Sequence, residues 1–234
     1  MILGHIGARK GSQGVPGKNF RMIQGKPLID WSLDLLFAHP QIDAVVVSTD
    51  DEEIYNHSVA KGALDIGLRP AELATASAPK WGVWQHALDA SQKAIGQEIS
   101  AFLDLDCTNP LRVPEDVTGA LSVFHKQSPD MVMSVCEARK NPYFNMVEVD
   151  ETGALHVSKQ LPGGVWARQA APKVYDHVGC VYVVDPHYLR TAKTIYEGRV
   201  MPFEIPSIRG FDIDEPHDFR LVEFLLGELN EGRI

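Results

Sequence analysis

Cysteine is scarce in this chain of 234 residues: there are three, Cys107, Cys136 and Cys180, widely spaced and with no CxxC pair. An odd, scattered set argues against a disulfide framework or a zinc site, so the cytoplasm is the expected compartment. The nine histidines include no HExxH and no other close pair of metal-ligand spacing. Long apolar runs are missing as well, since none approaches the roughly 18 residues that span a bilayer. The apolar stretch 2–6 is short and is followed, not preceded, by Arg9 and Lys10, so neither a signal peptide nor an anchor is expected. Positive charge is in deficit, with 22 Lys and Arg against 31 Asp and Glu for a net charge of −9. Non-specific binding to nucleic acid or anionic membrane needs clustered cations that such a chain lacks. Any phosphate it binds must be held by a local device.

What is present is a globular composition, 44% hydrophobic and 23% charged, without repeats or low-complexity stretches. One compact domain over residues 1–234 fits this length. Short apolar runs at 2–7, 44–49, 101–105, 131–135 and 178–184 suit buried strands. Between them, 27–37, 51–61, 81–93 and 114–126 carry helical periodicity, with prolines near helix starts and Gly62 just past an end. A further helix is expected over about 216–228. Strands alternating with helices imply an α/β fold, a mostly parallel sheet covered on both faces, with ligands at the carboxyl ends of the strands.

The segment at about 139–177 breaks this rhythm. Residues 144–149 and 155–159 flank the turn Asp150-Glu151-Thr152-Gly153, which predicts an inserted β-hairpin. Tyr143, Phe144, Met146 and Trp166 are too many large side chains for a hairpin to bury alone. It packs either on a neighbouring molecule or back on its own domain.

The loop after the first strand, from Gly7 to Asn19, holds four glycines and three cations in thirteen residues. Glycines let backbone N–H groups approach an anion, and Arg9, Lys10 and Lys18 add the charge, so a polyphosphate is the natural ligand. Neither the Walker pattern nor GxGxxG fits the spacing: Ser12 stands where the first Walker glycine belongs, and Asn19 follows Lys18.

From Ala8-Arg9-Lys10-Gly11-Ser12-Gln13-Gly14 and Lys18-Asn19 onward, the chain resembles the cytidylyltransferases that make CMP-activated sugar acids, such as the CMP-sialic acid synthetases. The likeness continues at Val47-Ser48-Thr49-Asp50, Arg69-Pro70-Ala71-Glu72-Leu73-Ala74, Thr108-Asn109-Pro110-Leu111-Arg112, Arg168-Gln169 and Asp212-Ile213-Asp214. The resemblance implies a Rossmann-like domain with a dimerisation hairpin, hence a homodimer. It implies that CTP and a small sugar acid are the substrates. Ala8, Arg9, Lys10, Gly11, Ser12, Asn19 and Arg69 would bind the nucleotide, and Arg9, Lys18 and Asp212 would serve the chemistry. On the sugar side it points to Asp106, Phe144, Arg168, Gln169 and Asp176, with Arg168 reaching the neighbouring subunit's pocket.

Transfer of a nucleotidyl group calls for a divalent cation to neutralise the phosphates, and Mg²⁺, with Mn²⁺ as a substitute, prefers carboxylate and water oxygen. In Phe211-Asp212-Ile213-Asp214 an extended backbone puts both carboxylates on one face, making Asp212 and Asp214 the candidate metal ligands. Asp214 also suits an ordinary helix cap. A second pair, Asp104-Leu105-Asp106, ends a strand in the same way, as in metal-dependent glycosyltransferases of related fold.

Against the sialic acid enzymes the departures lie on the sugar side. Asp106 stands where they have Gln, Phe144 where they have Lys, and Asp176-His177-Val178 where they have Arg-Pro-Asn. Two cations are thereby lost. The leading expectation is a CTP-dependent enzyme acting on a nonulosonic or related 3-deoxy-ulosonic acid, with N-acetylneuraminic acid a poor acceptor. Alternatives are another small acid such as an octulosonic acid or a phosphonate, a glycosyltransferase using Asp104 and Asp106, and a non-catalytic nucleotide-binding regulator.

Overall fold

The computed structural model describes residues 1–11 and 14–234; Ser12, expected among the phosphate ligands, and Gln13 lie outside the described residues. The chain runs β1 (Ile2–Gly7), β2 (Met22–Ile23), β3 (Lys26–Pro27), α1 (Leu28–Ala38), β4 (Ala44–Ser48), α2 (Glu52–Ala60), α3 (Lys80–Ile95) and β5 (Ala101–Asp104). It continues with α4 (Pro114–Gln127), β6 (Met131–Glu137), β7 (Val147–Val149), β8 (Leu155–Val157), β9 (Tyr175–Val184), α5 (Pro186–Thr191), β10 (Val200–Glu204) and α6 (Pro216–Asn230). No helix among the described residues is long and apolar enough to cross a membrane.

Six strands form one sheet in the order β10-β6-β9-β5-β1-β4. Its strands pair in parallel except β9, which is antiparallel to both β5 and β6. The reversal follows from connectivity, because the inserted segment leaves from the end of β6 and re-enters the sheet from that same end. β9 starts three residues earlier than the apolar run predicted, since its exposed first turns pair with β6 at Cys136 and Glu137. β10 was not legible as a strand. It is a half-exposed edge strand carrying Pro202, where a missing N–H costs no ladder bond on the open side.

Alternation along the buried strands divides the core. Ile2 and Ile6 face α1, α4 and α6, packing with Leu33, Leu121 and Leu226. Leu3 and Phe102 face α3 and α5, packing with Trp84, Leu88 and Leu189. The chain leaves β1 toward β4 on one side and returns to β5 on the other, so the carboxyl ends of β1 and β5 form the switch-point crevice where α/β sheets bind ligands. Register carries polar residues into that crevice: His5 lies opposite Asp104, and Asp104 opposite Tyr182. The predicted hairpin exists as β7 and β8, a two-stranded sheet separate from the main one, shorter than the sequence suggested.

One close contact tests the packing on the α4 side. A Cβ on Gly119 of α4 would lie 2.4 Å from the Phe203 ring of β10. Gly119→Ala should therefore lower stability by up to about 2 kcal/mol, because overpacking of about 1–3 kcal/mol is set against a helix gain of roughly 1 kcal/mol. Urea denaturation measures this, and adding Phe203→Leu should recover the helix gain.

Candidate active site

β1 ends at Gly7, and the next residue turns into the core instead of the cleft. Ala8 is fully buried, and its N–H donates to the Ser48 carbonyl at 3.0 Å, so it anchors the loop and has no donor left for a phosphate. Lys10 gives its backbone N–H to Asp50 at 2.8 Å and keeps its side chain exposed, while Gly11 is exposed beside it. Asn19 is buried and donates from Nδ2 to the Arg9 carbonyl at 3.0 Å, which fixes the backbone from which the Arg9 side chain leaves. Arg9, Lys18 and Asn19 line a cavity of about 430 Å³ with Gly14, Thr108 and Asp214.

That cavity joins the two ends of the sequence. Lys18 Nζ donates to the Ile213 carbonyl at 2.5 Å and stands 3.7 Å from an Asp214 carboxylate oxygen. Gly14 lies against the same segment so closely that a Cβ would fall 1.9 Å from the Asp214 carbonyl oxygen. Ile213 is buried and its N–H donates to the Thr108 carbonyl at 3.0 Å, so the residues on either side project away from the core. Asp214 is not the helix cap. Glu215 occupies that position, and Asp218 accepts from the N–H groups of Asp214 and Glu215, leaving the Asp214 carboxylate exposed.

Asp212 is the strained member of the pair. Burial, reinforced by the nearby charges of Asp106 and Asp214, pushes its carboxyl up to about 6. Its Oδ1 is buried and, among the described residues, has no hydrogen-bond partner. Among the described residues no group of three His, Cys, Asp or Glu gathers closely enough to hold a metal unaided. An orphaned carboxylate oxygen beside two further acids nevertheless fits a hard divalent cation whose remaining ligands are phosphate and water oxygens.

A second cavity, of about 310 Å³, shares Gly7 and Arg9 with the first and extends over the α3 face of the sheet. Arg69 is held there by Ser48, donating from Nε to Oγ at 3.0 Å and from Nη2 to the carbonyl at 2.5 Å. At its floor a charge cluster replaces the expected Asp104–Asp106 metal pair. The ammonium of Lys80 stands between them, 2.9 Å from Asp104 Oδ2 and 2.5 Å from Asp106 Oδ1. Burial would favour neutral groups, but mutual attraction outweighs it: Lys80 is held above its ordinary value and Asp104 well below the usual carboxylate range. Asp106 is thus tied to Lys80 at the cavity edge. It also lies 3.4 Å from the Tyr182 hydroxyl, and a Cβ on Gly179 would fall 2.3 Å from its Oδ2.

Lys80 and His5 were missed in the sequence, although both left a signal. A lysine right after Pro79 opens α3, where the helix dipole disfavours a cation. His5 interrupts an otherwise apolar strand.

The remaining sugar-side residues do not converge on these cavities within one chain. Arg168 and Gln169 lie on an exposed turn and line a separate cavity of about 290 Å³ with Arg139 and Lys173. Phe144 is half-buried at the hairpin base, and Asp176 is exposed on β9.

Comparison with known proteins gives a consistent picture. A family described as cytidylyltransferase matches residues 4–223. The chain is 33% identical to post-translational flagellin modification protein B of Campylobacter coli, covering 98% of this chain and 96% of that one. It is also 33% identical, with the same coverage, to CMP-N,N'-diacetyllegionaminic acid synthase of Campylobacter jejuni. A CMP:2-keto-3-deoxy-manno-octonic acid synthetase solved with CTP superposes with a TM-score of 0.69 at 19% identity, covering 97% of this chain and 99% of that one, which establishes the shared fold.

The closeness of Gly14 to Asp214 leads to a test. Gly14→Ala should push the loop and the 212–214 segment apart by an ångström or more, lowering kcat/KM by about 10²-fold, because misplacement on that scale suffices. Thermal unfolding should change little, since the contact lies between surface segments. Unchanged kinetics would mean that the approach of loop and tail is irrelevant to turnover.

Proposed function

The chain belongs to the cytidylyltransferase family, and from that premise we propose that it transfers CMP from CTP to a hydroxyl of a nonulosonic sugar acid. The acceptor oxygen bonds to the α-phosphorus, the bond from that phosphorus to the bridging oxygen of the β,γ-diphosphate breaks, and pyrophosphate leaves. The observation that carries this reading is the cavity in which Arg9 and Lys18 face Asp214 at the carboxyl end of β1. Cations there hold a triphosphate and stabilise the charge that grows on the departing pyrophosphate. Asn19 keeps the Arg9 backbone in place, and the Arg69 cavity alongside receives the nucleoside.

Asp212 and Asp214 hold Mg²⁺ or Mn²⁺ together with the phosphates. When bound, the ion neutralises negative charge on the phosphate oxygens. Asp212 is suited to this because its charge is poorly compensated by the protein alone.

The acceptor reading follows the chemistry of the departures. Asp106 supplies hydrogen-bond acceptors where a cation or amide would favour other substituents. A sugar acid of the legionaminic type fits better than N-acetylneuraminic acid, and the 33% identity to a CMP-N,N'-diacetyllegionaminic acid synthase supports it.

The hairpin supports a homodimer. Val147 pairs with Val157 and Val149 with Leu155, so one face of β7 and β8 is apolar, and Val147, Val149 and Leu155 are exposed. Trp166, in the same inserted segment, is 90% exposed. A second copy would cover this face and bring Arg168 toward the neighbour's acceptor pocket.

Pyrophosphate release should be seen with CTP and a nonulosonic acid and be slow with the other three nucleotides. It should stop on chelation and resume with Mg²⁺. Arg9→Ala should lower turnover by about 10²-fold or more at unchanged stability. Release without a divalent cation would remove the metal from the reading. Among acceptors, N-acetylneuraminic acid coming out best by kcat/KM would overturn the acceptor assignment.

Sedimentation should show a dimer at micromolar concentration, converted to monomer by Val149→Glu with Leu155→Glu. A fully active wild-type monomer would contradict the interface.

A further inference from the structure

His5 is a buried imidazole with one nitrogen committed and one free. Nδ1 lies 2.5 Å from Asp104 Oδ1, and both side chains are fully buried. Asp104 is ionised, so Nδ1 must carry the proton and donate. Burial, helped by the nearby charges of Arg69 and Lys80, keeps His5 neutral by lowering its pKa, although the bond to Asp104 works the other way. Nε2 is therefore a lone-pair acceptor, itself buried, and among the described residues it has no partner.

The imidazole lines the cavity of about 310 Å³. A side chain on Gly7 would fill the space beside it, with a Cβ lying 3.5 Å from His5 Cε1 and 3.6 Å from Arg69 Nη2. The missing side chain thus leaves a slot bordered by the Cε1 edge of His5, next to its buried Nε2, and by the Arg69 guanidinium, in a cavity that Leu73, Ala78 and Val83 also line. Apolar side chains together with a few polar groups, a donor and an acceptor among them, suit a heteroaromatic ring. Cytosine offers two adjacent acceptors, O2 and N3, followed by the donor 4-amino group. Uracil presents N3–H toward the guanidinium and O4 toward the lone pair, so both contacts become repulsive.

We propose that His5 Nε2 accepts a hydrogen bond from the 4-amino group of the cytosine ring, making His5 the residue by which this site selects CTP over UTP. This rests on the reading of the Arg69 cavity as the nucleoside site. Asp104 acts through His5 as a positioning residue, fixing the tautomer, and Lys80 keeps Asp104 charged.

The test compares CTP, UTP, 2'-deoxy-CTP and the pyrimidin-2-one nucleotide that lacks the 4-substituent. Wild-type enzyme should use the pyrimidin-2-one nucleotide with kcat/KM about tenfold or more below CTP, and UTP lower still, because a buried group built to be paired is left unpaired or opposed. In His5→Phe, CTP and the pyrimidin-2-one nucleotide should become equivalent and the CTP/UTP ratio should fall about tenfold or more. His5→Asn, whose amide can donate to Asp104 and accept from the base, should retain part of the preference. Should the variants fail to fold, ¹⁵N spectra of the wild-type imidazole serve: the Nε2 resonance should shift with CTP and stay put with the pyrimidin-2-one nucleotide. An unchanged CTP/UTP ratio in folded His5→Phe, or an Nε2 resonance indifferent to the 4-amino group, overturns the proposal. So does a loss confined to 2'-deoxy-CTP, which would assign the acceptor to ribose. Wild-type enzyme that releases pyrophosphate from none of these nucleotides would instead refute the cytidylyltransferase reading itself.

Discussion

Asp104 has no exposed surface, and an isolated carboxylate there would be neutralised or expelled by the cost of its desolvation. It remains ionised because Lys80 supplies the opposite charge at 2.9 Å and His5 a hydrogen bond at 2.5 Å. Much of the site depends on that balance. The same ammonium holds Asp106 and lies over the rings of Tyr182 and Trp84. Breaking such a cluster at one member leaves the others buried and unpaired, which is far costlier than the net worth of the intact pair. The floor of the cavity beside Arg69 is accordingly stiff.

The phosphate side is built differently, from a loop and a tail separated by nearly the whole sequence. Lys18 reaches the Ile213 carbonyl, and Gly14 allows backbone to meet backbone at Asp214. Ile213 is the hinge pin of this arrangement: its side chain is in the core, and its N–H is tied to Thr108, so the acids on either side are aimed by packing and not by loop conformation. Asp218 and Glu215 take over the helix start, which releases Asp214 for the cleft. The two cavities meet at Gly7 and Arg9, so one cation borders both.

The composition, the alternation of short apolar runs with helical segments, and the glycine- and cation-rich loop were enough to specify an α/β sheet with that loop at the end of its first strand. These features are local. Strand burial, helix periodicity and loop chemistry are each written within a dozen residues. The hairpin was legible for the same reason, from its turn residues. What escaped was set by pairing across the chain. The direction of β9 depends on where the inserted segment re-enters the sheet, and β10 is an edge whose pattern is blurred by Pro202. Asp104 and Asp106 read as a metal pair because an alternation at a strand end says nothing of a lysine 24 residues upstream of the first acid that enters between them. That the Ala8 N–H is spent on Ser48 shows only in the register of β1 on β4. The sequence by itself determined which chemical groups are present and the elements that carry them; tertiary structure decided their partners, because charge pairing and tautomer are settled by residues brought together from about a hundred positions apart, as His5 and Asp104 are.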